Sequence, residues 1–157
     1  MLKILSIALL LAVAAQIGFA ADVSFRRVQI PDLKGRQTDA VLTFSDTSRS
    51  IEVHPVKGDA VSIPYAQVEK CSYEFTRKHR VVGGIVSGVL ATPVTGVIVF
   101  LTHSRSHWLE IDYDAHDEHH FYVLRMHKKD YVHILEAVRT HVGIDAEVLG
   151  NADKRSR

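Results

Sequence analysis

The chain has a single cysteine, Cys71, among 157 residues. No intrachain disulfide can therefore form, even in an oxidising compartment, and stability must come from packing. Cys71 lies in "VEKCSYEF", where alternation groups it with Tyr73 and Phe75 on one strand face, the setting of a buried, inert thiol. Excess charge is also missing. Basic residues number 19 and acidic residues 18, and without the first twenty residues only Lys3 is lost, leaving 18 of each. A balanced chain lacks the basic stripe that nucleic acid requires, so no nucleic-acid partner is expected. Catalytic motifs are lacking too: no Ser-His-Asp order, paired-carboxylate motif or phosphate-binding loop stands out. No enzyme and no cofactor are expected.

The first twenty residues, "MLKILSIALLLAVAAQIGFA", combine Lys3, an apolar stretch from Ile4 to Ala15 and small residues at Gly18 and Ala20. This is the pattern of a secretory signal peptide cut before Ala21, with an N-terminal membrane anchor that is never cleaved as the alternative. The expected location is outside the cytoplasm, periplasmic or extracellular.

After a lead-in over 21–37, short runs alternate in hydropathy between turn residues. They cover Ala40–Ser45, Ser50–His54, Ala60–Tyr65 and Val68–Thr76, then His107–Asp114 and His119–Met126. Short β elements at regular spacing predict an antiparallel sandwich or barrel. The period then changes. Tyr131, Ile134, Leu135, Val138 and Val142 mark one face of a helix, with Asp130 placed to cap its start and Gly143 to end it. Residues 144–157 read as a polar tail.

Six or seven strands closed by one C-terminal amphipathic helix resemble the pleckstrin-homology (PH) superfold, including its bacterial PH-like and GRAM-like members. The phrases "SIPYAQVEKCSYE" and "HWLEIDY" with "HHFYVLRM" carry the resemblance, which places a PH-like domain over 38–143. It implies a binding scaffold for lipids or proteins. The basic strand-loop motif of phosphoinositide-binding members is absent, so that ligand is not implied.

Inside this domain, Val81–Thr102 carries no charged side chain, long enough for a membrane span. A single span would put two strands of one core on opposite sides of a membrane, and the cations before it would lie on the wrong side. An inserted helical hairpin bent at Thr92-Pro93 avoids both conflicts and is the expected form. Two β-strands, favoured by the β-branched "VIVF", are the alternative, as is a true span. Gly84, Gly88, Thr92 and Gly96 recur every four residues and, with Pro93, form the candidate membrane or self-association stripe. Arg77, Lys78, Arg80, Arg105, His107 and Trp108, with His79 and His103, form a candidate interfacial collar, and Trp108 and Tyr113 are candidate anchors.

The sequence "AHDEHH" holds His116, Asp117, Glu118, His119 and His120. It lacks the spacing of a zinc protease, and a hairpin turn splays such side chains into water, so no metal is expected there. The expected function is a non-catalytic, membrane-associated binding or scaffolding module of the cell envelope. Its expected partners are membrane lipid and a protein or envelope component. The alternative is a structural envelope protein that forms homo-oligomers through the glycine stripe, and a metal-dependent enzyme using the histidine turn is a distant third.

Overall fold

The computed structural model describes residues 21–34, 36–88 and 94–150. The protein is mainly β. Eight strands form one mixed sheet in the order β4-β3-β2-β1-β7-β6-β5-β8. They are β1 (Val23–Pro31), β2 (Gln37–Ser45), β3 (Ser50–Pro55), β4 (Val61–Pro64), β5 (Val68–Ser87), β6 (Val94–Ala115), β7 (Glu118–Met126) and β8 (Glu147–Leu149). The sheet does not close into the expected barrel. β1 arises within the stretch read as a lead-in, and β8 within the stretch read as a tail, where it pairs in parallel with β5 from Ser72↔Glu147 to Glu74↔Leu149.

Alternation builds the main core as the sequence predicts. Leu42 and Phe44 of β2, Ile51 and Val53 of β3, Leu109 and Ile111 of β6, and Tyr122 and Leu124 of β7 all point to one side and are fully buried. Helix α1 (Tyr131–Ala137) continues through a π-helical turn, Val138–Val142, that ends at Gly143 in the left-handed region. Ile134, Ala137 and Val138 close the core with the helix's apolar face. Asp130 stands at the helix start but makes no side-chain cap. Its carboxylate instead accepts two hydrogen bonds from Arg27 of β1, one of them 2.8 Å from Nε.

The apolar run is not a helical hairpin. Its described residues complete two unusually long strands that stay paired, with Val81 opposite Ile98, Gly84 opposite Gly96 and Val86 opposite Val94. Thr92 and Pro93 lie outside the described residues. β-branched side chains fit a pleated ladder better than a helix, and the run has period two. Val81, Ile98 and Phe100 are buried, while Val82, Val97, Val99 and Leu101 between them are exposed.

This extension, the arm, folds back over the outer face of the sheet. The corner is a break in register: Thr76 pairs with Ser106 and Lys78 with Leu101, so Thr102–Arg105 face Arg77 alone. Extra residues on one strand bend it sharply. Thr102 Oγ1 donates to the Ser104 carbonyl and steadies the corner. At the far end, Ile85, Val86 and Ser87 pair in parallel with His120, Phe121 and Tyr122 of β7. β5 thus reaches both margins of the β6–β7 pair.

Folding back creates a second, outer core of Val81, Val86, Ile98, Phe100, Trp108, Phe121 and Val123. Trp108 is fully buried at its centre, and its indole donates to the Thr76 carbonyl at 3.1 Å. It is therefore a core residue rather than the partly exposed anchor expected from sequence. The glycines explain the close approach. A Cβ on Gly84 would stand 2.3 Å from the Phe121 ring and 2.9 Å from the His119 carbonyl, and one on Gly88 would stand 1.9 Å from the Tyr122 ring. The four-residue spacing is thus not a helical stripe, and Gly84 and Gly88 are contacts within one chain. Gly96 meets nothing within 4 Å and needs glycine only for its φ of +116°.

The protein's single tryptophan reports on arm docking. Gly84→Val is expected to cost about 1–3 kcal/mol through overpacking and to shift Trp108 emission to the red as the arm lifts. Gly96→Ala should lower the melting temperature slightly without moving the emission. Equal spectra for Gly84→Val and the parent protein would contradict the close packing of arm on β7.

Candidate binding surface

Two neighbourhoods on the arm carry chemistry: a charged cluster beneath it and an outward face above it. The cluster forms because β6 is covered on both sides. Leu109, Ile111 and Tyr113 face the main core, so Trp108, Glu110 and Asp112 face the arm, and all six are buried. His79, on the inward side of β5, is 1% exposed. Its Nδ1 lies 3.0 Å from Glu74 Oε2 and its Nε2 lies 2.8 Å from Glu110 Oε2. The ring stacks on Trp108 with centroids 5.7 Å apart.

Burial alone would lower the His79 pKa. The bonds to Glu110 and Glu74 outweigh burial and hold it above its ordinary value of 6.5. As an imidazolium the ring donates to both carboxylates at once. Asp112 behaves in the opposite sense to an ordinary carboxylate: burial and the neighbouring Glu110 push it up to about 7. Its Oδ1 has no hydrogen-bond partner among the described residues. The two glutamates occupy opposite nitrogens of the His79 ring, which makes a clamp between β5 and β6. Among the described residues no group of three or more His, Cys, Asp or Glu side chains is arranged to hold a metal ion.

The outward face has a different character. Lys78 stands across from Leu101 and Arg80 across from Val99, with Val82 and Val97 at the next outward positions. The four apolar side chains are 61% (Val82), 65% (Val97), 42% (Val99) and 53% (Leu101) exposed. The four form an apolar strip edged by the two cations. Of the expected collar, Lys78 and Arg80 border the strip, and Arg77 is exposed opposite the corner. Arg105 and His107 turn toward a cleft beside β1. His107 is held between Phe75 and Tyr131 at centroid distances of 4.6 and 4.0 Å, and its Nδ1 is 2.8 Å from Tyr73 Oη. Burial lowers its pKa.

The histidine-rich turn sits at the opposite end of β6. His116 and Asp117 both have positive φ, 55° and 61°, as a two-residue hairpin turn requires. His119 pairs with Asp114 at 2.8 Å, and His120 Nδ1 is 2.9 Å from Ser87 Oγ at the arm's end. His120 also stacks on Tyr113, so the ring serves packing. Cys71 is buried in the main core, where burial and the nearby Asp112 push its thiol up to about 12, far from a thiolate at neutral pH.

No protein-family model matches the chain, and a search of curated proteins gives no match. Among the described residues no helix is long and apolar enough to cross a membrane.

The charged cluster makes arm docking pH-dependent. His79 has a raised folded-state pKa, so its contribution is full below about pH 6.5 and is lost as pH rises through the folded value. Asp112 takes up a proton on folding between its ordinary 3.8 and about 7, so stability falls as pH rises through that window. Asp112→Asn is expected to flatten the decline between about pH 4 and 7 and to raise the melting temperature at pH 7.5. His79→Gln should lower the melting temperature at pH 6 and remove the decline above about pH 7, where Asp112 no longer contributes. Thermal melts of both variants that run parallel to the parent across pH would refute the assignment.

Proposed function

We propose that the protein is a non-catalytic, membrane-associated module of the cell envelope, with a PH-like domain as its scaffold. The signal-peptide pattern supports export. The strand meander whose core is closed by a C-terminal helix supports the PH-like reading. One observation carries the membrane reading: the outward face of the arm aligns Val82, Val97, Val99 and Leu101 with Lys78 and Arg80. Valine and leucine side chains partition into the boundary between headgroups and acyl chains, and the flanking cations favour anionic lipid by about 1 kcal/mol each. The mode of attachment is contact through one face of a strand pair. Its backbone groups stay paired within the ladder, as an apolar medium requires.

Vesicle flotation of the full chain tests this. The Val97→Ser/Val99→Ser pair is expected to abolish flotation with anionic vesicles and leave the melting temperature and Trp108 emission unchanged, because both side chains point away from either core. Lys78→Ala/Arg80→Ala should weaken binding about 30-fold at low salt, from about 2 kcal/mol of lost attraction. Flotation by the serine pair equal to the parent's would end the membrane reading. Loss of oligomers in the serine pair, with flotation untouched, would make the strip a contact between copies of the chain.

A further inference from the structure

A cleft of about 580 Å³ lies where β1, β6 and β7 meet at the base of the arm. Its size suits a small ligand or a headgroup. It gathers five cations from separate stretches of the chain: Arg26 and Arg27 of β1, Arg105 of the corner, Arg125 of β7 and Lys128 just after β7. Among the described residues, the only carboxylate lining it is Asp39 of β2.

Backbone geometry and hydrogen bonds set the positions of these groups. β1 carries a bulge, with Arg26 and Arg27 facing Val41 alone between the Phe25↔Leu42 and Val28↔Ala40 pairs. The bulge aims two consecutive arginines at one region, where regular alternation would send them to opposite faces. Arg27 is fixed by its two bonds to Asp130. Arg125 is fixed by donating from Nε to Ser106 Oγ and from Nη1 to Gln29 Oε1, both at 3.1 Å, and Gln29 in turn donates to Asp39 at 2.8 Å. Arg105 lies over the Phe75 ring, 6.0 Å from its centroid. Arg26, Arg105 and Lys128 form no ion pair among the described residues.

Asp130 meets the charge of Arg27, but Arg26, Arg105, Arg125 and Lys128 still crowd like charges into one cleft, and like charges repel each other. Pre-oriented guanidinium groups match the oxygens of a phosphate. We propose that this cleft is a binding site for a phosphate ester, with two or more arginines on the phosphate and the rings of Phe75 and His107 against the ester's carbon skeleton. The site is separate from the arm's outward face and stands whether or not that face meets lipid. A phosphate on a lipid headgroup and one on a small soluble ester present the same chemistry.

Calorimetric titration of the full chain with glycerol 3-phosphate tests the soluble source, and flotation with phosphatidylcholine vesicles containing phosphatidic acid tests the lipid source. Arg26→Gln/Arg105→Gln, both exposed and outside either core, is expected to weaken binding about tenfold or more. Asp39→Asn should tighten it, whereas Asp145→Asn, at an exposed carboxylate remote from the cleft, should not. Flotation with phosphatidic acid that falls in Arg26→Gln/Arg105→Gln but is kept in Lys78→Ala/Arg80→Ala, with no glycerol 3-phosphate binding, assigns the site to a lipid headgroup and not to the arm. Glycerol 3-phosphate binding that survives Val97→Ser/Val99→Ser confirms the cleft even where the membrane reading has failed. No binding to either probe at physiological salt, or an Arg26→Gln/Arg105→Gln variant that binds as the parent does, overturns the proposal.

Discussion

The structure depends on the return of the arm across the outer face of β6 and β7. A sheet with one helix can bury only one of its faces, and the other must be polar. Here the second face carries Trp108, Phe121 and Val123, which would otherwise stand in water. The corner at Thr102–Arg105 turns the ladder back on itself, and the absence of a side chain at Gly84 lets it settle against the Phe121 ring. Burial of those aromatic rings is the main stabilising contribution to this second layer. The same movement seals the His79 clamp from water and presents an apolar strip on the far side. Core, clamp and strip are three results of one chain reversal.

Much of the main core was legible because its strands face water or the arm on one side and the core on the other. Leu42 and Phe44, or Leu109 and Ile111, show the period of two that such burial imposes. The helix was equally legible from its three- and four-residue steps. The arm was not. Its inward residues, Val81, Ile98 and Phe100, meet a second core, while its outward ones, Val82, Val97 and Val99, are apolar for another reason. Both faces therefore read alike, and the length of the run favoured a helix. The β-branched residues of "VIVF" carried the right signal, against a length argument that did not apply to two strands joined end to end.

Register and long-range assembly left still less trace. Nothing local in "THSR" reveals that four residues face one across the ladder. The bulge at Arg26 and Arg27 is equally silent, though their adjacency is visible. The basic cleft draws on β1, β6 and β7, residues about eighty to a hundred positions apart, and only the β1–β7 pairing brings them together. His79 was expected at a wet collar because it stands among Arg77, Lys78 and Arg80. Strand geometry separates it from them, since its neighbours on either side point outward while it points in.

The parallel pairing of Ile85–Ser87 with β7 has a bearing on how the chain reaches this state. That ladder joins residues more than thirty positions apart and can form only after β6 has turned at the histidine hairpin and β7 has come back alongside it. Until then the arm is a loose ribbon, and one margin of β7 is bare. Contacts of such sequence separation are entropically costly and form slowly. The short hairpins from β2 to β4 have no such wait. Docking of the arm accordingly follows the β6–β7 hairpin in the order of assembly, and the main core holds no residue of the arm.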